Sequence, residues 1–104
     1  MKILVIERHR ESLTKEVLEK VAPAMFEYLD NLDRMGKAKN WVIAGNPGGV
    51  VLYDVDSMEE FAKLVSGCPI YPYTTREVIP LWEPQKAAAY VDTLVDTMNK
   101  LDVE

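Results

Sequence analysis

The sequence predicts an α+β fold in which strands and helices follow one another as β-α-β-β-α-β, with an extra helix at the C-terminus. Two periodicities support this prediction: short apolar segments typical of strands, and longer segments with apolar residues at steps of three and four. A turn-rich segment, Asn46-Pro47-Gly48-Gly49, joins two of the strands closely enough for a hairpin. The chain has 104 residues, and we expect residues 1–104 to form a single domain because two separate cores would each be small.

The strands are predicted from four short segments. Residues 2–8 form a central strand, because their apolar side chains would face both sides of a sheet and need cover on both. Residues 39–45 and 50–55 form the two strands of the hairpin. The fourth strand spans residues 73–81 and follows an extended connection that contains two prolines.

The first helix is predicted over residues 12–35, where apolar residues form one stripe. Ser12 is the expected N-cap, since its hydroxyl can accept a hydrogen bond from the first turn. Pro23 predicts a kink or a restart near Ala22, because proline removes a backbone donor and costs about 3 kcal/mol inside a helix. Gly36 predicts the end of this helix.

The remaining two helices have clear beginnings. Ser57 opens the second helix, and Glu60 completes a capping box three residues later; Gly67 ends it. The last helix spans residues 83–102, and its apolar residues fall on one side. That stripe consists of Ala87, Val91, Leu94, Val95 and Met98. We expect it to pack on its own domain or on a neighbouring copy of the chain.

The predicted order of elements is ferredoxin-like. In this arrangement both crossover helices cover the same face of the sheet, which leaves the other face bare in a monomer. The apolar residues on both faces of the first strand require that the second face is also buried. A second copy packed sheet to sheet would meet this requirement, so we expect a dimeric α+β barrel.

Composition and charge argue against several classes of protein. The net charge is −5, from 17 acidic and 12 basic residues, and the basic residues are scattered, so we expect no nucleic-acid partner. No stretch approaches the roughly 20 apolar residues of a membrane span, so we expect no membrane partner. The single cysteine, Cys68, excludes an internal disulfide and favours a cytoplasmic location, and no Cys/His spacing suggests a metal site.

A distinctive set of positions runs from the hairpin to the fourth strand: Ile43-Ala44-Gly45, Asp54-Val55, Ser57, Glu59, Leu64, Pro69, Pro72-Tyr73, Glu77-Val78 and Leu81. With this spacing, the chain resembles the muconolactone isomerase-like family of dimeric α+β barrels. The resemblance implies a small-molecule-binding protein that self-associates as a homodimer or a higher ring. It also implies an isomerase that acts by proton transfer on an unsaturated lactone or a related acid, with no cofactor.

Such a reaction needs a base that takes a proton next to a carbonyl, and donors for the enolate that develops. Glu7 is the first candidate base, because it continues the apolar face of the first strand and burial would raise its pKa. Alternatively, Glu7 is a strand-end residue that forms an ion pair with Arg8 or Arg76. His9, the single histidine, is the second candidate; its alternative is an exposed loop position.

Aromatic residues and one arginine are the candidates for substrate binding. Trp41, Tyr53 and Tyr73 would supply flat apolar surface with polar tips. Arg76 would hold a substrate carboxylate if it faces the cleft. The same aromatic residues would also fit an ordinary barrel core or a dimer interface.

Two other functions are compatible with the same fold. The first is a cofactor-free oxygenase or a haem-handling protein that uses His9 and the tryptophans. The second is a non-enzymatic regulatory module whose helices mediate assembly. Because one fold hosts many functions, only the residues of the site can distinguish these functions.

Overall fold

Four strands and three helices make up the part of the chain that the computed structural model describes, residues 1–45 and 47–101. The elements are β1 (Lys2–His9), α1 (Lys15–Arg34), β2 (Ala38–Val42), β3 (Gly48–Asp54), α2 (Met58–Ser66), a short 3₁₀ turn (Tyr71–Tyr73), β4 (Thr74–Leu81) and α3 (Pro84–Leu101). The predicted order of strands and helices is therefore confirmed.

The strands form one antiparallel sheet in the order β2-β3-β1-β4. β1 is central, as predicted, and pairs with β3 on one side and β4 on the other. Across the ladder, Glu7 lies opposite Gly49 of β3 and opposite Arg76 of β4. This order of strands and helices gives the ferredoxin-like α+β fold that the sequence predicts.

The hydrophobic core lies between the sheet and the helices α1 and α2. Ile3 and Val5 of β1 are fully buried on this face, and each such side chain contributes about 1.5–3 kcal/mol on burial. Tyr53 of β3 packs edge to face against Phe61 of α2, with ring centroids 5.4 Å apart. The alternation along β1 therefore directs its odd-numbered residues towards the helices.

The opposite side of the sheet is apolar and only partly covered. The ladder register assigns to it Leu4, Ile6, Trp41, Val50, Leu52 and Ile79, which we call the open sheet face. These six residues are half-buried or exposed, and the Trp41 side chain is 54% exposed. The chain by itself therefore leaves apolar surface on this face in contact with solvent.

The predicted N-cap of α1 is wrong, and of the kink or restart predicted at Pro23 the restart does not occur. Thr14, not Ser12, is the N-cap: its hydroxyl accepts a hydrogen bond from the Val17 amide at 3.2 Å, from an extended backbone. The helix also runs through Pro23 without restarting. Pro23 is exposed, so water can hydrogen-bond the carbonyl of Glu19 that proline leaves without its usual donor.

The start of α2 agrees only in part with the predicted capping box. Ser57 caps the helix, accepting from the Glu60 amide at 3.1 Å. The Glu60 carboxylate does not return to the cap; it accepts a hydrogen bond from Lys37 Nζ at 2.9 Å. After this helix, the predicted extended connection contains the 3₁₀ turn instead, which the fixed φ of proline also suits.

The hairpin depends on a glycine at its closest approach to β1. Gly48 has a φ of +151°, and a Cβ atom there would lie 2.3 Å from the Glu7 carbonyl oxygen. Only glycine fits that backbone without displacing β1. β2 ends at Val42, earlier than predicted, and Asn46 of the predicted turn lies outside the described residues.

The last helix, α3, projects from the rest of the molecule. No residue of α3 is buried within the described chain, and Leu94 and Met98 are 43% and 55% exposed. The longest axis is 61 Å and the radius of gyration 17.8 Å, against about 13 Å for a compact chain of this length. Of the two predicted partners of the α3 stripe, its own domain is excluded and a neighbouring copy stays a prediction; Asp102 lies outside the described residues.

In the described part of the chain, none of the helices α1, α2 and α3 is long and apolar enough to cross a membrane.

Candidate functional site

A cavity of about 300 Å³ lies between α1 and the helix-facing side of the sheet. Its floor comes from β1 and β3, and its cover comes from one side of α1. The α1 residues are Leu18, Ala22, Met25, Phe26 and Leu29. The apolar stripe of this helix thus serves as core near Leu32 and as cavity wall towards the N-terminus. The volume is at the lower end of the range for small-molecule sites.

Glu7 lies in the wall of this cavity and is 9% exposed. Burial raises the pKa of the Glu7 carboxyl above its ordinary value, because the charged form loses hydration. The positive charge of Arg76 and a hydrogen bond from the Thr74 side chain lower the pKa, but by less. The balance therefore favours a carboxyl that holds its proton more strongly than a solvated glutamate does.

Arg76 is held outside the cavity by its own neighbours. Its Nη2 donates to the Tyr71 carbonyl at 2.8 Å and to the Thr74 hydroxyl at 3.0 Å. Its guanidinium also lies over the Tyr71 ring, with Cζ 3.9 Å from the centroid. Arg76 is absent from the described residues that line the cavity, and it forms no ion pair with Glu7 among them.

Thr74 connects the arginine to the carboxyl. It is 1% exposed at the start of β4 and lines the cavity. Its hydroxyl oxygen accepts from Arg76 at 3.0 Å, and its hydroxyl donates to the Ile70 carbonyl over a long 3.5 Å, with the Glu7 carboxyl as the other nearby acceptor. Sequence reasoning missed Thr74, although a threonine two residues before Arg76 on the same strand face was a usable signal.

Tyr53 brings a phenol to the same cavity. Its side chain is 1% exposed, and its pKa is raised by burial and by the nearby Glu7 charge. Tyr53 therefore stays protonated and can donate a hydrogen bond. Cys68 also lines the cavity, and burial raises the pKa of its thiol.

Two of the remaining candidates lie at the rim. His9 follows Glu7 by two residues on β1, so both share one face, and His9 is exposed where it borders the cavity. Trp41 also borders the cavity, yet its register with Val50 assigns its side chain to the open sheet face. Tyr73 is not among the described lining residues; its carbonyl accepts from the Arg10 amide at 2.9 Å.

The structure thus brings Glu7, His9 and Tyr53 to one cavity, with Trp41 at its edge, and leaves Tyr73 and Arg76 outside the wall. The sequence also did not predict that α1 covers a cavity, because an apolar stripe looks the same whether it packs into a core or lines a cavity. Within residues 1–45 and 47–101, no group of three or more His, Cys, Asp or Glu side chains could hold a metal ion.

Sequence comparison identifies relatives of one kind. The sequence model described as muconolactone delta-isomerase matches residues 4–86. The muconolactone delta-isomerase of Acinetobacter baylyi is 38% identical over 55 residues, which are 52% of this chain and 57% of that protein. The enzyme of the same name from Rhodococcus opacus is 33% identical over 55 residues, 52% of this chain and 59% of that protein. The chain thus spans less than two thirds of these curated relatives.

Comparison of structures gives the same fold. A crystal structure of muconolactone isomerase superimposes with a TM-score of 0.70 at 24% identity, covering 81% of this chain and 92% of that one. A 5-chloro-2-hydroxyhydroquinone dehydrochlorinase from Burkholderia phenoliruptrix, in complex with 2,5-dihydroxybenzoquinone, gives a TM-score of 0.67 at 16% identity, covering 83% and 98%. These two structures show the shared fold, and the sequence relatives support the isomerase-like prediction.

Proposed function

The chain belongs to the muconolactone delta-isomerase family, and from that premise we propose that its cavity carries out proton transfer on an unsaturated lactone or a related acid. The observation that carries the proposal is a carboxyl, Glu7, in an apolar cavity together with a buried phenol, Tyr53. A carboxylate with a raised pKa is a stronger base than a solvated one, which suits the removal of a proton next to a carbonyl.

Glu7 acts as the base in the first half of the reaction and as the acid in the second. Its carboxylate takes a proton from the carbon next to the lactone carbonyl, and the C–H electron pair moves into a conjugated enolate. The carboxyl proton exchanges with solvent in part, and the protonated Glu7 then gives a proton to the far carbon of the enolate, which moves the double bond. Substrate and product have the same composition, so this step needs no oxidant, reductant or cofactor.

Two hydroxyl groups provide the polar support. The Tyr53 phenol stays protonated, so it can donate to the enolate oxygen as negative charge develops there. Thr74 is held by Arg76, and it orients the base when its hydroxyl turns from the Ile70 carbonyl to the Glu7 carboxyl. Arg76 therefore acts through Thr74 as a positioning residue. Trp41 lies at the edge of the site, and Tyr73 lies behind it, outside the cavity lining.

His9 is the second candidate base. It borders the same cavity on the same face of β1, but it is exposed, whereas Glu7 lies in the apolar interior. A reaction that must exclude water favours the buried group. Glu7 is therefore the first choice, and His9 fits a role at the mouth of the cavity.

Self-association of the chain is part of the same proposal. The open sheet face exposes apolar residues of all four strands, and α3 exposes a second apolar surface, with Val91 and Val95 53% and 48% exposed. A second copy packed on both surfaces would remove them from water, as a homodimer or within a higher ring. The cytoplasmic location stays a prediction from the cysteine content.

The experiment compares Glu7→Gln with Glu77→Gln, a matched control on the neighbouring strand whose side chain is exposed on the other face of the sheet. We follow isomerisation of an unsaturated lactone, and uptake of solvent deuterium into it, by NMR. Glu7→Gln should lower both rates by at least about 100-fold, because it removes the base, while Glu77→Gln leaves them unchanged.

The pH profile provides a second readout of the same base. Only the deprotonated carboxylate accepts a proton, so kcat/KM should rise with pH through the raised pKa of Glu7 and then level off. Full turnover in Glu7→Gln would rule out Glu7 as the base. Loss of turnover in His9→Ala alone would assign that role to His9.

A further inference from the structure

Arg76 carries one buried polar atom that the described residues leave unpaired. Its Nη2 donates to the Tyr71 carbonyl, the Thr74 carbonyl and the Thr74 hydroxyl, at 2.8, 3.2 and 3.0 Å. Its Nε is buried, and among the described residues it donates to no acceptor. An N–H of a charged group is costly to bury unpaired, so this atom indicates an acceptor that approaches it in another state of the site.

Glu7 is placed to supply that acceptor. It is the direct cross-strand partner of Arg76 in the β1–β4 ladder, so both side chains leave the same face of the sheet. The Cβ atoms of such partners lie about 4.5–5.5 Å apart, within reach of two long side chains. Within residues 1–45 and 47–101, however, the two side chains form no ion pair. A turn of the Glu7 side chain from the cavity towards β4 would bring its carboxylate to Nε without a change in the backbone.

The other titratable groups around Glu7 leave Arg76 as its main counter-charge. Tyr53 of β3 and Cys68, which follows α2, line the same cavity, and burial raises the pKa of both, so they stay neutral while a carboxyl titrates. His9 lies on the same face of β1 but is exposed, so solvent screens its charge. The residues that α1 contributes to the described lining are all apolar.

We propose that Arg76 Nε is the donor for the ionised form of Glu7, so that the base has two positions. The protonated carboxyl stays in the cavity wall. The ionised carboxylate, when the cavity holds no ligand, turns towards β4 and accepts from Nε. Substrate has to release it from Nε before it can take a proton from carbon. Arg76 is thus a positioning residue by direct contact, in addition to its contact through Thr74. The inference rests on the proposed function, because it concerns the same base.

Side-chain NMR tests the pairing without any turnover. The Nε–Hε signal of Arg76 and the carboxyl carbon of Glu7 are followed with pH in the full chain, in whatever oligomeric state it adopts. We expect Hε to move downfield, and to exchange more slowly with solvent, through the midpoint at which Glu7 ionises. Glu7→Gln should abolish this step, while Glu77→Gln, exposed on the other face, should leave it unchanged. An Hε signal that does not follow Glu7, or that contacts a buried water at every pH, overturns the inference.

Variants separate direct contact from the route through Thr74. Arg76→Gln removes the positive charge that lowers the pKa of Glu7, so kcat/KM on the acidic side of its pH profile should fall about tenfold, while the alkaline plateau changes less than about threefold. Thr74→Val keeps the charge and should move the profile less. Arg8→Gln is the matched control, since Arg8 is exposed on the opposite face of β1.

The outcomes distinguish this inference from the proposed function. Equal shifts of the profile in Arg76→Gln and Thr74→Val would show that Arg76 acts only through Thr74, which overturns the direct contact. A uniform loss of kcat/KM at every pH in Arg76→Gln would show a structural role and overturn it as well. An NMR step that is present in a protein without isomerase turnover would support the pairing and overturn the proposed function.

Discussion

The two long helices, α1 and α3, have similar sequence patterns and opposite surroundings. Both are amphipathic, with 20 and 18 residues. α1 buries Leu29 and Leu32 against the sheet and covers the cavity with residues from Leu18 to Leu29. No residue of α3 is buried in the described chain, and its stripe is in contact with solvent. The comparison separates what an apolar stripe determines, which is the helix, from what it leaves open, which is the surface that covers it.

The difference also indicates where each helix gains its stability. α1 belongs to the core that includes Val5 and Phe61, so its contribution is intramolecular. α3 starts beside a contact between Trp82 and Tyr90, whose ring centroids are 4.6 Å apart, and then leaves the domain. Most of the stability of a helix in a protein comes from packing of its amphipathic face. Its covering surface is therefore expected on a second copy of the chain.

The largest effect is expected from removal of α3. A chain that ends at Pro84 loses the exposed stripe, and it should change its oligomeric state or lose solubility, because the surface that the stripe covers on the partner becomes exposed. Sedimentation equilibrium at micromolar concentration measures this: the full chain should exceed the monomer mass of 11.8 kDa. If both chains sediment as soluble monomers, α3 has no partner and the proposed dimer is wrong.

A matched pair of leucines sharpens the comparison at the level of single side chains. Leu32 of α1 is 4% exposed and Leu94 of α3 is 43% exposed. Leu32→Ala should lower the free energy of unfolding by about 2–5 kcal/mol, because it removes buried contacts and leaves a cavity. Leu94→Ala should cost less than about 0.5 kcal/mol in dilute monomer. Urea unfolding measures both, and equal costs in dilute protein would contradict the described position of α3.

The smallest effect concerns the start of α1. Thr14→Ala removes a side-chain cap on the Val17 amide and should cost about 1 kcal/mol, whereas Ser12→Ala should cost much less. Thermal unfolding monitored by circular dichroism resolves this difference. A larger loss of stability in Ser12→Ala than in Thr14→Ala would show that Ser12, the residue predicted from the sequence, is the N-cap.

Much of the fold follows from the sequence because its signals are local. The apolar residues on both faces of β1, the Ser57 cap and the glycine-rich hairpin each specify an element without reference to the others. The errors occur where tertiary contacts decide between local options. The Glu60 carboxylate accepts a hydrogen bond from Lys37 and not from its own helix cap. Pro23 stays within a helix because it is exposed, so water can replace the backbone donor that proline lacks.

The site was less predictable than the fold. Its strand residues follow from the two-residue period, which assigns Glu7 and His9 to one face. The period also assigns Arg76 to the face of Glu7, but it says nothing about where a long, flexible side chain ends. The Tyr71 carbonyl and ring that hold it come from a turn whose shape depends on the folded chain. The cavity itself results from packing of α1, which no local pattern encodes.

Pro23 divides α1 into halves of unequal resistance to opening. The first half lines the cavity with Leu18 and Ala22 and has no fully buried residue in the described structure, whereas the second half is anchored by Leu29 and Leu32. The proline also removes one rung of the hydrogen-bond ladder between them. Backbone amides before Pro23 should thus exchange with deuterated solvent sooner than those after it. The part of the cavity wall formed by Leu18 and Ala22 should therefore open more readily than the part formed by Met25, Phe26 and Leu29.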